Sequence, residues 1–152
     1  MDYAIRAASA ADITTIVHHR EQMFRDMGTV CDYEAMAQAC TRWYQDALPA
    51  GTYRGWLVDA GGTVVGGSGL IVMPWSPGPS RLDPRMAWIY NVFVEPAHRG
   101  RGLARRLMDT MHAWCREQGI ERLALNATEA GARVYRRLGY TPQHEPMLRL
   151  DL

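Results

Sequence analysis

The sequence predicts one α/β domain, a mixed sheet with helices packed on it. Three observations predict it. Strand-like runs joined by a hairpin signal come early, and strand–helix units follow. The helical runs keep their apolar residues on one stripe, as Leu103, Leu107, Met111 and Cys115 do at intervals of four. At 152 residues the chain can bury one real core without metal or disulfide staples.

Each element has its own local reason. Tyr3-Ala4-Ile5-Arg6 reads as a short first strand. Ser9-Ala10-Ala11-Asp12 offers a side-chain oxygen and a first-turn acid to start a helix. That helix continues through Ile13, Ile16, Val17, His19/Arg20 and Met23/Phe24. A second helix is expected over Tyr33–Ala47, with Met36, Cys40, Trp43 and Tyr44 along one side, and Gly28, Pro49 and Gly51 as punctuation. Tyr53–Asp59 and Thr63–Met73 are strand-like, and Ala60-Gly61-Gly62 between them predicts a hairpin. The proline-rich stretch from Pro74 to Pro84 reads as a surface loop. Trp88–Val94 is rich in β-branched and aromatic residues and stops at Glu95-Pro96. A helix then runs to Gly119, a strand over Arg122–Asn126, a helix from Thr128 to Leu138 ending at Gly139, and a final strand pair between Tyr140 and Leu150.

Composition narrows the function. The chain is 47% hydrophobic and 22% charged with a formal net charge of +1, which argues against a general nucleic-acid or membrane-surface binder. Cys31, Cys40 and Cys115 form no CxxC pair, so free thiols in a reducing compartment are expected, with Cys115 a buried small hydrophobe. The first residues lack the basic and apolar regions of a signal peptide, and the longest apolar stretch, Val64–Trp75, is broken by glycines. A cytoplasmic location is the expectation. His18 and His19 point apart on a helix and have no partner at ligand spacing, so no metal site is expected.

The most informative residues are Arg99-Gly100-Arg101-Gly102-Leu103-Ala104, set between the Trp88–Val94 run and the helix. Glycines at a helix mouth leave backbone N–H groups free, and the helix start adds partial positive charge. Arg99, Arg101, Arg105 and Arg106 add more, so the site suits a pyrophosphate. A Walker loop is excluded because Gly-Lys-Ser/Thr is absent. A dinucleotide fingerprint fits poorly, with Arg105 where the third glycine belongs and Pro96-Ala97-His98 in the turn.

Val94-Glu95-Pro96-Ala97-His98-Arg99-Gly100-Arg101-Gly102-Leu103-Ala104 resembles the acetyl-CoA-binding motif of the GCN5-related N-acetyltransferases, with Arg99, Gly102 and Ala104 on the motif positions. Ala132-Arg133-Val134-Tyr135-Arg136-Arg137-Leu138-Gly139-Tyr140 resembles that family's Ala-x-x-x-Tyr-x-x-x-Gly-Phe/Tyr helix. The resemblance implies an α/β (α+β) fold: a mixed, largely antiparallel sheet of six to seven strands with flanking helices, splayed between strands four and five. It further implies that Val92 and Val94 hydrogen-bond the pantetheine arm through their backbone and that Phe93 lies beside the thioester. Arg99, Gly100, Arg101, Gly102, Leu103, Ala104 and Arg105 would hold the pyrophosphate, Asn126 would face the arm, and Tyr135 would sit near the sulfur.

A phenol with a pKa of ~10 stays protonated at neutral pH and can protonate a thiolate whose acid has a pKa of ~8.5. Tyr135 is therefore the expected general acid. No base stands out: Trp88 occupies the place where some relatives of that family carry a glutamate, which leaves Glu21, Asp26, Glu129 or water. For Tyr135 core filling is the competing role, for Asn126 turn formation, for Arg105 and Arg106 a solvated face, and for His98 plain exposure in its loop. The resemblance also places the first two helices and the loop before strand four around the acceptor. Met23, Phe24, Met27, Trp43, Tyr44 and Trp75 would then favour an amine with an apolar body. The expected activity is direct transfer of the acetyl group of acetyl-CoA onto a primary amine of a small molecule or peptide, without a metal. A non-catalytic acyl-CoA sensor and an enzyme using a longer acyl group are the alternatives. Met147-Leu148-Arg149-Leu150 offers an edge along which a second copy could pair as a homodimer.

Overall fold

The computed structural model describes residues 2–143 and 149–151. The chain runs β1 (Ala4–Ala7), α1 (Ile13–Asp26), α2 (Tyr33–Ala47), β2 (Tyr53–Ala60), β3 (Thr63–Pro74), β4 (Arg85–Val94), α3 (Leu103–Glu117), β5 (Leu123–Ala124) and α4 (Glu129–Arg137). The sheet order is β1-β2-β3-β4-β5, antiparallel from β1 through β4, with β5 parallel to β4.

The sheet has five strands among the described residues, not six to seven. The difference lies at the C-terminal end. Tyr140 donates its N–H to the Tyr135 carbonyl to close α4, and Pro142 has no N–H to offer a ladder. Residues 140–143 accordingly form no strand, and residues 144–148, the centre of the expected strand pair and half of its pairing edge, lie outside the described residues. β5 is also shorter than the Arg122–Asn126 expected, whereas β4 begins earlier, at Arg85.

Alternation along β2 separates two cores. Trp56 and Val58 face α3, joining Leu70, Ala87, Ile89 and the stripe Leu103, Leu107, Met108, Met111 and Cys115. Tyr53 and Leu57 face the other way, against Ile13, Ile16 and Val17 of α1 and Tyr44 and Ala47 of α2. The sheet is thus covered on both faces. Leu107, Met108 and Met111 are fully buried, each worth roughly 2–3 kcal/mol of apolar burial.

The β2–β3 hairpin closes as expected. Ala60 pairs with Thr63 across Gly61 and Gly62, both at positive φ, and the Asp59 carboxylate accepts the Gly62 N–H at 2.6 Å. The start of α1 is also fixed locally. Asp12 accepts the Ser9 N–H at 2.8 Å and both Arg6 terminal nitrogens at 2.8 and 3.0 Å. The Arg6 contact above all holds the Asp12 carboxyl down at about 2.

β3 contains Gly66, Gly67 and Gly69, and the last lies under the fully buried ring of Tyr53. A methyl group at position 69 would overlap that ring, whose hydroxyl accepts a hydrogen bond from Asn91. Gly69→Ala is expected to lower unfolding free energy by about 1–3 kcal/mol in urea titrations; an unchanged midpoint would show that the Tyr53 ring is not confined there.

Candidate active site

The phosphate-loop expectation meets specific geometry. β4 ends at Val94, a 3-10 turn spans Pro96–His98, and α3 begins at Leu103 with Gly102 as its cap. Gly100 and Gly102 both lie at φ +74°, and a Cβ at either would meet open space. L-residues resist that φ, so the glycines are needed for the bend. From Gly100 through Arg105 no backbone N–H finds a partner among the described residues; the first N–H of the helix to be bonded is Arg106, to the Gly102 carbonyl. A helix mouth with free donors and open space above its glycines fits a diphosphate.

The arginines divide. Arg101 is exposed, and Arg105 stands 3.6 Å from Asp109 on its own helix. Arg106 donates to the Tyr3 carbonyl at 2.8 Å, a tie to the N-terminal segment, and His98 shares a hydrogen bond of 3.0 Å with the Tyr3 hydroxyl. Arg99 turns back: its Nε donates to the Val94 carbonyl at 2.8 Å and its Nη2 to Asp26 at 2.5 Å, with its guanidinium 5.6 Å from the centre of the Phe93 ring. It braces the loop against the end of α1.

Next to the loop, the β4–β5 ladder stops after Ala87–Leu123 and Trp88–Ala124. Beyond it, no strand among the described residues pairs with Val92 and Val94 on that side, and their side chains pack toward the α3 core. Asn126 is exposed, two residues past the end of β5. Phe93 points to the opposite face, its ring 5.1 Å from that of buried His19 on α1. Burial, helped by His18, lowers His19 to about 4, so its imidazole is neutral. Tyr135 is half-buried on α4, edge-on to Tyr140 at 5.9 Å, and burial raises its pKa, which keeps the phenol protonated. The candidate carboxylates are mostly committed: Glu21 accepts two bonds from Arg25, and Asp26 holds Arg99. Glu129 lies exposed in the first turn of α4.

On the α1–α2 face lies a cavity of which the sequence pointed only to Trp43 and Tyr44. Between the pairs Gly69–Tyr90 and Gly67–Phe93, Ser68 alone opposes both Asn91 and Val92. This is a β-bulge, with Asn91 at φ +54°. The extra residue lets Tyr90 and Asn91, consecutive in sequence, both reach the α1–α2 face. The buried Asn91 amide donates to the Tyr44 hydroxyl at 2.6 Å and the Tyr53 hydroxyl at 3.4 Å, and its carbonyl accepts from Arg20 at 2.6 Å. Burial raises the pKa of both tyrosines, so both are neutral. Around this network lies a cavity of about 520 Å³ lined by Arg20, Ala39, Cys40, Trp43, Tyr44, Tyr53, Ile71 and Tyr90. Of the aromatic and methionine residues singled out in the sequence, Trp43 and Tyr44 reach it and Phe24 stacks on Arg20; Trp75 and Met27 do not line it. The available signal was Asn91 itself, a poor strand former that tolerates left-handed φ, inside an otherwise apolar strand.

Residues 14–140 match the profile of the Acetyltransferase (GNAT) family. The chain belongs to that family. A GCN5-related N-acetyltransferase from Ralstonia eutropha JMP134 has a TM-score of 0.92 at 34% identity, covering 98% of this chain and 99% of that one. A predicted acetyltransferase from Clostridium acetobutylicum, solved with acetyl-CoA, has a TM-score of 0.91 at 23% identity over 99% of this chain and 96% of that one, a likeness of fold. The glucosamine 6-phosphate N-acetyltransferase of Trypanosoma brucei brucei is 31% identical over 91 residues, which span 60% of this chain and 59% of that relative's length. No helix among the described residues of this GNAT chain is long and apolar enough to cross a membrane.

Gly102→Val would place a β-branched side chain at φ +74°, straining the bend by about 1–2 kcal/mol and filling the space above the free N–H groups. Calorimetry is expected to show acetyl-CoA affinity weakened at least about 10-fold in a protein still folded by circular dichroism. Equal affinity would contradict the loop as the diphosphate site.

Proposed function

We propose that this GNAT protein is an acetyl-CoA-dependent N-acetyltransferase that moves the acetyl group directly onto a primary amine of a small molecule or peptide. The run of unpartnered N–H groups from Gly100 to Arg105, beside the unpaired edge of β4, carries this reading. Acetyl-CoA supplies an acetyl group already activated as a thioester.

The residues divide the work by position. The N–H groups of Gly100, Gly102, Leu103 and Ala104 hold the diphosphate, and exposed Arg101 and Arg105 add positive charge at the rim. Arg99 acts one step back, fixing the loop to Val94 and Asp26. The backbone of Val92 and Val94 takes the pantetheine arm along the open edge, with Asn126 across the gap. Phe93 anchors this part of the strand to α1 and does not line the arm.

As the amine nitrogen bonds the acetyl carbon and the C–S bond breaks, Tyr135 donates its proton to the departing sulfur, and the proton shed by the nitrogen passes through solvent and restores the phenol. Burial favours its neutral, donating form. The acceptor enters as the free amine from the α1–α2 face, since Glu21 and Asp26 are already paired with arginines. Cys115 takes no part: it is buried under α3, and burial pushes its thiol up to about 11. Direct transfer through a ternary complex follows.

Thiol release from acetyl-CoA on adding an amine panel tests transfer against mere binding. Tyr135→Phe is expected to cut kcat by about 10²–10⁴ while acetyl-CoA affinity measured by calorimetry changes less than about two-fold. Equal kcat under chemistry-limited conditions would remove Tyr135 as the acid. Binding of acetyl-CoA with no thiol release from any amine would favour a sensor.

A further inference from the structure

The cavity beneath the β4 bulge has an uneven chemistry. Its walls are the rings of Trp43, Tyr44, Tyr53 and Tyr90 with Ile71, and Arg20 is the one charged residue among those that line it. The three rings Trp43, Tyr44 and Tyr53 meet edge-on with centres 4.9–5.9 Å apart, a rigid aromatic corner. No carboxylate lines the cavity, and among the described residues none lies within ion-pair distance of Arg20. Arg20 is half-buried, its guanidinium 5.0 Å from the centre of the Phe24 ring and 6.0 Å from that of Tyr90. It spends one donor, from Nη1, on the Asn91 carbonyl. Among the described residues the Nε–Nη2 edge, two parallel N–H groups, makes no hydrogen bond.

A partly desolvated cation without a counter-ion is costly unless a ligand completes it. The free edge of a guanidinium matches the two oxygens of a carboxylate. Aromatic walls suit an apolar body, and the volume lies in the range of small-molecule sites. Tyr90 stands two residues before Val92 on the same strand, so a ligand in the cavity abuts the edge assigned to the pantetheine arm. We infer that the acceptor is an amine with an apolar or aromatic body that also carries a carboxylate, held by Arg20 within the Trp43–Tyr44–Tyr53–Tyr90 walls. Asn91 fixes Arg20 in place. A purely cationic amine is disfavoured there, because Arg20 repels it and no acidic residue offsets the repulsion. The fate of the amine rests on the acetyl-transfer reading; the carboxylate site does not.

Three probes separate the possibilities: 3-phenylpropionate, phenethylamine and L-phenylalanine, titrated against the full chain by saturation-transfer NMR and tryptophan fluorescence. The wild type is expected to bind 3-phenylpropionate and phenylalanine at least about 10-fold more tightly than phenethylamine. Arg20→Met is expected to erase that difference, and Arg20→Lys, which keeps charge without the fork, to retain part of it. Circular dichroism establishes that each variant is folded; should Arg20→Met not fold, Arg20→Lys and the wild-type ranking still decide. In thiol-release assays phenylalanine is expected to exceed phenethylamine in kcat/KM by a similar factor. Equal affinities, a preference for phenethylamine, a ranking that survives Arg20→Met, or no binding of any probe at ~10 mM would overturn the site. Failure to take up acetyl-CoA, measured separately, would remove the transfer reading and leave the probe ranking to decide the carboxylate site alone.

Discussion

The bulge at Asn91 is the constraint on which the site depends. A strand that alternates without interruption would send Tyr90 and Asn91 to opposite faces. One extra residue, in a left-handed conformation that few side chains besides asparagine accept, puts both on the α1–α2 face and returns Val92 and Val94 to the α3 side. That conformation costs on the order of 1–3 kcal/mol and is held by three hydrogen bonds, from Arg20 and to Tyr44 and Tyr53. α1, α2, β2 and β4 converge on one amide.

Two kinds of chemistry then meet on a single strand. The part of β4 before the bulge borders an aromatic cavity, and the part after it borders the glycine loop and an edge that β5 leaves unpaired. Arg99 links them mechanically, since its guanidinium joins the Val94 carbonyl to Asp26 at the end of α1. Both ends of this pair are about half exposed, so its energetic contribution is small and its role is geometric. The glycines of β3 complete the arrangement: only a residue without a side chain leaves room for the Tyr53 ring to cross and meet Asn91.

What the sequence made legible was local or periodic. The hairpin at Gly61-Gly62 and the stripe of α3 each follow from a few neighbouring residues. The glycine loop was legible for the same reason, because its free N–H groups belong to consecutive residues. The sequence singled out Trp43 and Tyr44, but the rest of the cavity was not legible, because Arg20, Tyr53 and Asn91 join Tyr44 from separate elements only when the sheet register brings them together. Arg99 shows what a motif leaves out: besides its place in a phosphate motif, the fold commits its Nε to Val94 and one Nη2 donor to Asp26. Strand number was not legible at the C-terminal end, where Tyr140 commits its N–H to Tyr135 and Pro142 has none to offer.

The central claim is that the bulge sets the acceptor cavity against the reactive end of a cofactor held by the glycine loop. A crystal structure of the acetyl-CoA complex measures this directly. The account predicts the diphosphate on the N–H groups between Gly100 and Arg105, the sulfur within about 3.5 Å of the Tyr135 hydroxyl, and the acetyl carbon opening onto the space beside Tyr90. A diphosphate bound elsewhere, or an acetyl group walled off from that space by Tyr90 and Asn91, would contradict it.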